Sequence, residues 1–275
     1  MKSLFILPKV QNKFDEEGYV VLNLFSPNQI DNLIDITSIV DIQSVSDFFY
    51  SLIELPSSQN KQIHESISSV ILPALDNIFI NYRNIAASFL VKPGNTMSEL
   101  MLHQDWCYTD ETEYNTITCW IPLCDVNEDN GAVFLIPGSH KFINIRSASY
   151  PTERILSSEI GNRNCLPINL NVGQMLCFNP AIWHGSYPNK KNINRSVVTT
   201  IIMSNEAPFL YFQKQNDQNC DVYELNDDCF ENYLNKMAYG TLPDGLIKVR
   251  NINYKHEPIK AEEVILKIIG NNNRL

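Results

Sequence analysis

The chain has 275 residues, of which 44% are hydrophobic and 19% charged, and a formal net charge of −10. That balance fits a soluble globular protein with a sizeable core. It argues against nucleic acid or an anionic membrane as the main partner, because phosphate binding needs a basic face.

No linker interrupts the chain, so a single domain over 1–275 is expected. The start, Met1 to Pro8, has too short an apolar run for a signal peptide, and no stretch has the length of a membrane span. The seven cysteines are odd in number and form no Cys-x-x-Cys pair. Reduced, mostly buried thiols in a cytoplasmic protein are therefore expected. The composition carries no information on oligomeric state.

Gly18 to Leu24 reads as a strand. Ser26-Pro27 then offers an N-cap with proline at the first helical position, and Ile30, Leu33 and Ile34 follow at helical spacing. Residues 44–54 and about 58–79 also look helical, with Pro73 placed to kink or divide the second stretch. Residues 1–85 thus read as a mainly helical flank with one early strand.

The texture changes near Ala86. Short β-type runs, Ser88 to Val91, Thr116 to Leu123, Ala132 to Ile136, Gln174 to Phe178 and Ser196 to Ser204, alternate with turns such as Pro93-Gly94 and Pro137-Gly138. This spacing predicts an antiparallel barrel or jelly roll over 86–205. Residues 141–170 read as an insertion or lid. Residues 206–275 read as a polar C-terminal extension with a final helix at 261–269, and Phe209, Tyr211 and Phe212 are candidates to close over a site.

Within the β region, His103-Gln104-Asp105 places an imidazole and a carboxylate at i and i+2, on one side of an extended chain. His184 follows 81 residues later and Arg195 eleven after that. Two imidazoles and a carboxylate are the facial ligand set of a non-haem iron(II) centre, with three positions open. A guanidinium binds a carboxylate bidentately, which suits the far end of 2-oxoglutarate, and Ser186 shares the face of His184. A pair of satisfied structural histidines is the other reading of these residues, and the spacing alone leaves both open. The loop from Trp106 to Asn115 follows the first ligands. There Trp106 and Tyr108 are candidate substrate contacts, and Asp110, Glu111 and Glu113 read as a solvated acidic edge. His64, on a helix, reads as a surface residue, and Trp183 as packing beside a ligand.

Taken together, His103-Gln104-Asp105-Trp106, Trp120-Ile121-Pro122-Leu123, Asn130-Gly131-Ala132, Pro137-Gly138-Ser139-His140, Trp183-His184-Gly185-Ser186 and Asn194-Arg195 resemble the phytanoyl-CoA dioxygenase family over roughly residues 15–205. The resemblance implies a mainly β fold with flanking helices, a cupin-like double-stranded β-helix or jelly roll. It implies iron(II), 2-oxoglutarate and dioxygen as cofactors and co-substrate. His103, Asp105 and His184 match the iron ligands, and Arg195 and Ser186 the clamp on the distal carboxylate. Trp120 and Gln104 take positions that approach the co-substrate, and His140, of the Pro-Gly-Ser-His motif, is either a substrate contact or a turn-fixing structural histidine. Asp105 retains the carboxylate that related halogenases replace. Hydroxylation of a small polar metabolite or biosynthetic intermediate is therefore the expected outcome, with ring closure, desaturation or epoxidation, or a silent binding module, as the other readings.

Overall fold

The computed structural model describes residues 3–41, 45, 47–97, 99–141, 145–146, 154–161, 164–216, 218–226, 237, 241–242, 245–254, 263–264 and 266. The chain opens with helix α1 (Pro8–Glu17), strand β1 (Tyr19–Asn23) and helix α2 (Pro27–Thr37). Pro8 starts α1 at its first turn, and Gly18 ends it with a φ of 83°, the left-handed conformation that glycine adopts without strain. Ser26 caps α2 reciprocally: its hydroxyl accepts the Gln29 N–H, and its own N–H donates to the Gln29 side chain.

The segment expected to be helical from 44 to 54 is mostly otherwise. Residues 42–44 and 46 lie outside the described residues, and Phe49–Tyr50 form strand β2 before a single helical turn, α3 (Ser51–Glu54). The two aromatics are better suited to a sheet edge than to a short helix. Helix α4 (Ser57–Leu75) runs unbroken, because Pro73 falls in its last turn. Its stripe of Ile63, Ile67, Ile71 and Leu75 is fully buried, each side chain contributing about 1.5–3 kcal/mol.

Beyond α4 the chain is chiefly β: β3 (Tyr82–Lys92), β4 (Leu100–His103), β5 (Thr116–Pro122), β6 (Val133–Leu135), β7 (Leu166–Ile168), β8 (Gln174–Phe178), β9 (His184–Ser186) and β10 (Arg195–Ser204). They form two antiparallel sheets, a six-stranded one ordered β1-β8-β5-β10-β3-β2 and a four-stranded one ordered β4-β9-β6-β7. The arrangement is the jelly roll, or double-stranded β-helix, with helices packed outside.

The central strands β5, β8 and β10 of the larger sheet are buried on both faces, and strand alternation divides their side chains. Ile117, Cys119 and Ile121 of β5, and Phe89 and Val91 of β3, pack against the isoleucines of α4. Trp120 of β5 and Val197 of β10 face inward against Val133, Leu135 and Ile168 of the smaller sheet. On β10 the inward face also carries Arg195, Thr199 and Ile201.

Residues 141–170, read as an insertion or lid, contribute strand β7, the short helix α5 (Ser157–Ile160) and a bridge from Ile155 to Leu102. Residues 142–144, 147–153 and 162–163 lie outside the described residues. The C-terminal extension is also more ordered in type than its polar sequence implies. Strands β11 (Leu210–Asn216), β12 (Asn219–Glu224) and β13 (Ile247–Asn253) form a third antiparallel sheet. Phe209 and Tyr211 join Ile85, Ile201 and Tyr108 in one apolar cluster. The helix expected at 261–269 falls outside the described residues except for Glu263, Val264 and Leu266, which are helical.

Six described cysteines form no disulfide among the described residues, and five of them are buried; Cys229 lies outside the described residues. Among the described residues, no helix is long and apolar enough to cross a membrane.

Candidate metal centre

Strands β4 and β9 pair so that His103 stands directly opposite His184. Their rings lie 4.4 Å apart between centroids. Asp105 sits two residues past His103, just beyond the end of β4, where its backbone N–H donates to the Pro180 carbonyl. Its Oδ1 lies 3.9 Å from His103 Nε2 and 3.7 Å from His184 Nε2. One ligand atom from each of the three residues falls within 4.8 Å of the others.

Both imidazoles are oriented in the same way. His103 Nδ1 lies 2.8 Å from the Met101 carbonyl and His184 Nδ1 2.9 Å from the Ile182 carbonyl, in each case two residues upstream. A carbonyl can only accept, so Nδ1 carries the proton and Nε2 turns its lone pair toward Asp105. Burial and the neighbouring His184 lower the His103 pKa to about 4, so the ring is neutral at physiological pH. The Asp105 carboxylate accepts one hydrogen bond from Thr118 at 3.3 Å.

Gly185, between His184 and Ser186, allows this approach. A Cβ there would overlap the Leu100 carbonyl and stand 2.7 Å from Phe134 Cζ. The sheet can bring β9 this close to β4 only without a side chain at that position.

Arg195 opens β10, beside Lys92 of β3. Its guanidinium is 2% exposed and lies over the Trp120 ring, 5.2 Å from the centroid. Nε and Nη1 have no hydrogen-bond partner. Burial lowers its pKa to about 10. A buried cation with unmet donors is costly, and a bound anion meets that cost. Arg195 lines a cavity of about 250 Å³ together with His103, Asp105, His184, Ser186 and Trp120. The pocket thus holds a facial set of two nitrogens and one oxygen, which fits iron(II), and an unsatisfied guanidinium, which fits a carboxylate.

The structure also gathers Gln104, Trp106 and Tyr108 into the pocket wall. Gln104 Nε2 donates to the Ala181 carbonyl at 2.5 Å, tying the chain just after β4 to the segment before His184. His140 does not line this pocket. It sits in a 3₁₀ turn (Ser139–Lys141), with Nε2 3.1 Å from the Asp15 carbonyl and its ring packed against Gly18, so it ties that turn to α1. Phe209, Tyr211 and Phe212 do not line the pocket either. His64 is half-buried rather than on the surface, and its Nδ1 accepts the Ala87 N–H of β3. Trp183 packs with Leu102, Phe134 and Ile136 behind the smaller sheet.

Two groups in this region escape a sequence-level reading. Lys92 is 2% exposed. Its ammonium donates to the Ser186 hydroxyl at 2.9 Å, to the Ser186 carbonyl at 3.1 Å and to the Tyr187 carbonyl. Burial, then repulsion from Arg195, lowers its pKa to about 7. Arg146 is the second. Its Nε donates to the Asp105 carbonyl at 2.5 Å, and its Nη2 lies 2.5 Å from both oxygens of Glu111. Glu111 is therefore a buried ion-pair partner, not part of a solvated edge: the two side chains are 4% and 8% exposed.

The sequence pattern of the family described as phytanoyl-CoA dioxygenase matches residues 42–197. Among solved structures, the fold is similar to SnoK, a non-haem α-ketoglutarate-dependent carbocyclase from nogalamycin biosynthesis. That match has a TM-score of 0.55 and 16% identity, covering 74% of this chain and 86% of that one. The epimerase SnoN, in complex with Fe3+, α-ketoglutarate and nogalamycin RO, matches at a TM-score of 0.53 and 12% identity over 73% of this chain and 84% of that one. HygX from Streptomyces hygroscopicus, with nickel, 2-oxoglutarate and hygromycin B bound, matches at 0.51 and 15% over 72% and 87%.

Proposed function

Since the chain belongs to the phytanoyl-CoA dioxygenase family of iron(II)- and 2-oxoglutarate-dependent oxygenases, we propose that His103, Asp105 and His184 hold the iron and that Arg195 holds the distal carboxylate of 2-oxoglutarate. The reaction assigned is hydroxylation of a C–H bond in a small metabolite or natural-product intermediate. The observation that carries this reading is the buried Arg195 guanidinium, with Nε and Nη1 unpaired, in the same pocket as the three ligands.

Iron(II) with 2-oxoglutarate supplies the activation of dioxygen. The chain supplies the geometry. Backbone carbonyls fix both histidines with Nε2 inward, and with the Asp105 carboxylate these would hold the iron, which would supply the sites where co-substrate and dioxygen bind. Ser186 accepts a hydrogen bond from Lys92 at its Oγ, which leaves its own hydroxyl proton free to donate to the carboxylate beside Arg195. Trp120 supports the guanidinium from one face. Phe48, Tyr50, Trp106 and Tyr108 wall the open side and exclude water from the space next to the metal.

The outcome on substrate is the part to test directly. SnoK closes a ring and SnoN epimerises on the same fold, so product structure must separate those reactions from hydroxylation. The experiment is oxygen-dependent succinate release by iron-loaded protein against a metabolite panel, with His103→Ala as blank and mass analysis of each product. A product heavier by one oxygen with every carbon–carbon double bond retained supports hydroxylation; an epoxide, an isomer or a dehydrogenated product replaces it. Anaerobic addition of iron(II) and 2-oxoglutarate should give a weak visible charge-transfer band. Its absence in iron-containing protein would point to a metal site that does not use 2-oxoglutarate.

A further inference from the structure

The pairing that holds the first iron ligand also fixes a second arginine at the pocket. Ile155 bridges Leu102 in antiparallel fashion, with reciprocal N–H to carbonyl hydrogen bonds of 2.9 and 3.0 Å. Leu102 and Ile155 both turn into the apolar cluster behind the smaller sheet. Their neighbours, His103 and Arg154, are therefore adjacent across the pair and share the opposite face. Both line the pocket.

Arg154 is exposed and has no hydrogen bond or ion pair to any described residue. It differs from Arg195 in depth: Arg195 is buried beside Trp120, whereas Arg154 stands on the solvent side next to His103. The charges around the pocket are otherwise few. Asp105 is the only carboxylate among its described lining residues, and it belongs to the metal set. Glu111, the nearby acid that an amine might have met, is committed to Arg146. Phe48, Tyr50, Trp106 and Tyr108 give the lining an aromatic share, beside aliphatic side chains such as Ile53 and Leu100.

We propose that Arg154 is the substrate-recognition residue, and that the substrate is an organic anion, a carboxylate or phosphate on a compact apolar or aromatic body. The anionic group meets Arg154 at the mouth, and the body lies along Tyr50, Trp106 and Tyr108 toward the metal. Among the described lining residues an ammonium group finds no carboxylate besides Asp105, and it meets Arg154 as a like charge. This inference rests on the iron and 2-oxoglutarate reading of the site.

The test is a binding measurement on full-length protein loaded with zinc(II) and saturated with 2-oxoglutarate, which does not turn over. The probes are phenylacetate, phenyl phosphate, methyl phenylacetate and phenethylamine, followed by saturation-transfer NMR titration. Wild type should bind one or both anions more tightly than the ester and the amine. Arg154→Gln should weaken anion binding about tenfold, the loss expected for one charge-assisted hydrogen bond, while Arg154→Lys retains part of it. Added salt should weaken phenylacetate binding to wild type and not to Arg154→Gln. Whichever of phenylacetate and phenyl phosphate loses more in Arg154→Gln identifies the anionic group. Equal binding of anion and amine, or unchanged affinity for both anions in Arg154→Gln, overturns the assignment. Zinc(II) and 2-oxoglutarate uptake is measured on the same samples. If wild type takes up neither, the metal-site reading has failed, and the substrate assignment falls with it; normal uptake without anion preference sinks the substrate assignment alone.

Discussion

Arg195 lies across the face of Trp120 with its guanidinium carbon 5.2 Å from the ring centroid, and two of its nitrogens have no hydrogen-bond partner. The ring face offers only partial negative charge. The folded chain thus holds a cation that it only partly satisfies. Arg195→Met should weaken 2-oxoglutarate binding about a hundredfold, the loss of two charge-assisted hydrogen bonds. The same substitution should leave the ligand-free protein as stable as wild type or more so, because a methionine in this slot removes a desolvated charge. Calorimetric titration and thermal melting check the two halves. A variant that melts lower and binds 2-oxoglutarate normally would refute the assignment.

The Arg146–Glu111 pair should behave oppositely. Both side chains are buried and bonded at 2.5 Å, so Arg146→Met strands a buried carboxylate and should cost about 3–5 kcal/mol. The double variant Arg146→Met/Glu111→Met should recover a large part of that loss. Urea denaturation midpoints of the single and double variants, compared with wild type, decide the point; equal midpoints for the two variants would show that the pair is not coupled.

Lys92 gives the site a pH dependence. Burial and Arg195 lower its pKa from 10.5 to about 7. Between those values the unfolded chain holds a proton that the folded chain has lost, so Lys92 makes stability rise with pH across that window. An anion bound beside Arg195 offsets that repulsion, the smaller of the two causes, and raises the Lys92 pKa. 2-Oxoglutarate binding at pH 8 should then take up a proton, and affinity should fall as pH rises above 7. Titration in two buffers of different ionisation enthalpy measures the uptake. Lys92→Met should abolish it.

Gly185→Ala forces β9 away from β4, since the added methyl would overlap the Leu100 carbonyl and Phe134. His184 moves with it. Metal affinity should drop by about 10–100-fold, the range typical when groups that orient a ligand are disturbed. Metal content after dialysis against a competing chelator reads the effect, and an unchanged content would show that the smaller sheet tolerates the shift.

How much of this was legible in the sequence depends on whether the signal was local. His103, Asp105, His184 and Arg195 stand in short motifs whose residue types have few other uses together, and the structure gathers all four. The Ser26 cap and the inward alternation of β5 and β10 are local rules that hold. Helix α1 carried its signals, Pro8 at the start and Gly18 at the end, yet its apolar stripe of Phe14 with the polar but buried Gln11 is too sparse to show periodicity. Lys92 and Arg146 gave none. A lysine before Pro93-Gly94 looks like the solvated end of a strand, and only the fold, by placing Ser186 and Tyr187 opposite, makes it a buried donor. The third sheet was hidden because β13 is exposed along nearly its whole length, so its sequence lacks the alternation that marks a half-buried strand.

The facing positions of His103 and His184 have a mechanical consequence for the ligand-free protein. Strands β4 and β9 are four and three residues long, and few backbone hydrogen bonds join them. A metal held by one residue of each strand is a cross-strand clasp, and its binding energy is also energy holding the smaller sheet closed. Stripping the metal should therefore loosen the jelly roll along one seam. Amide exchange should quicken at Leu100 to His103 and His184 to Ser186, while β5 and β10, zipped together along most of their length, keep their protection.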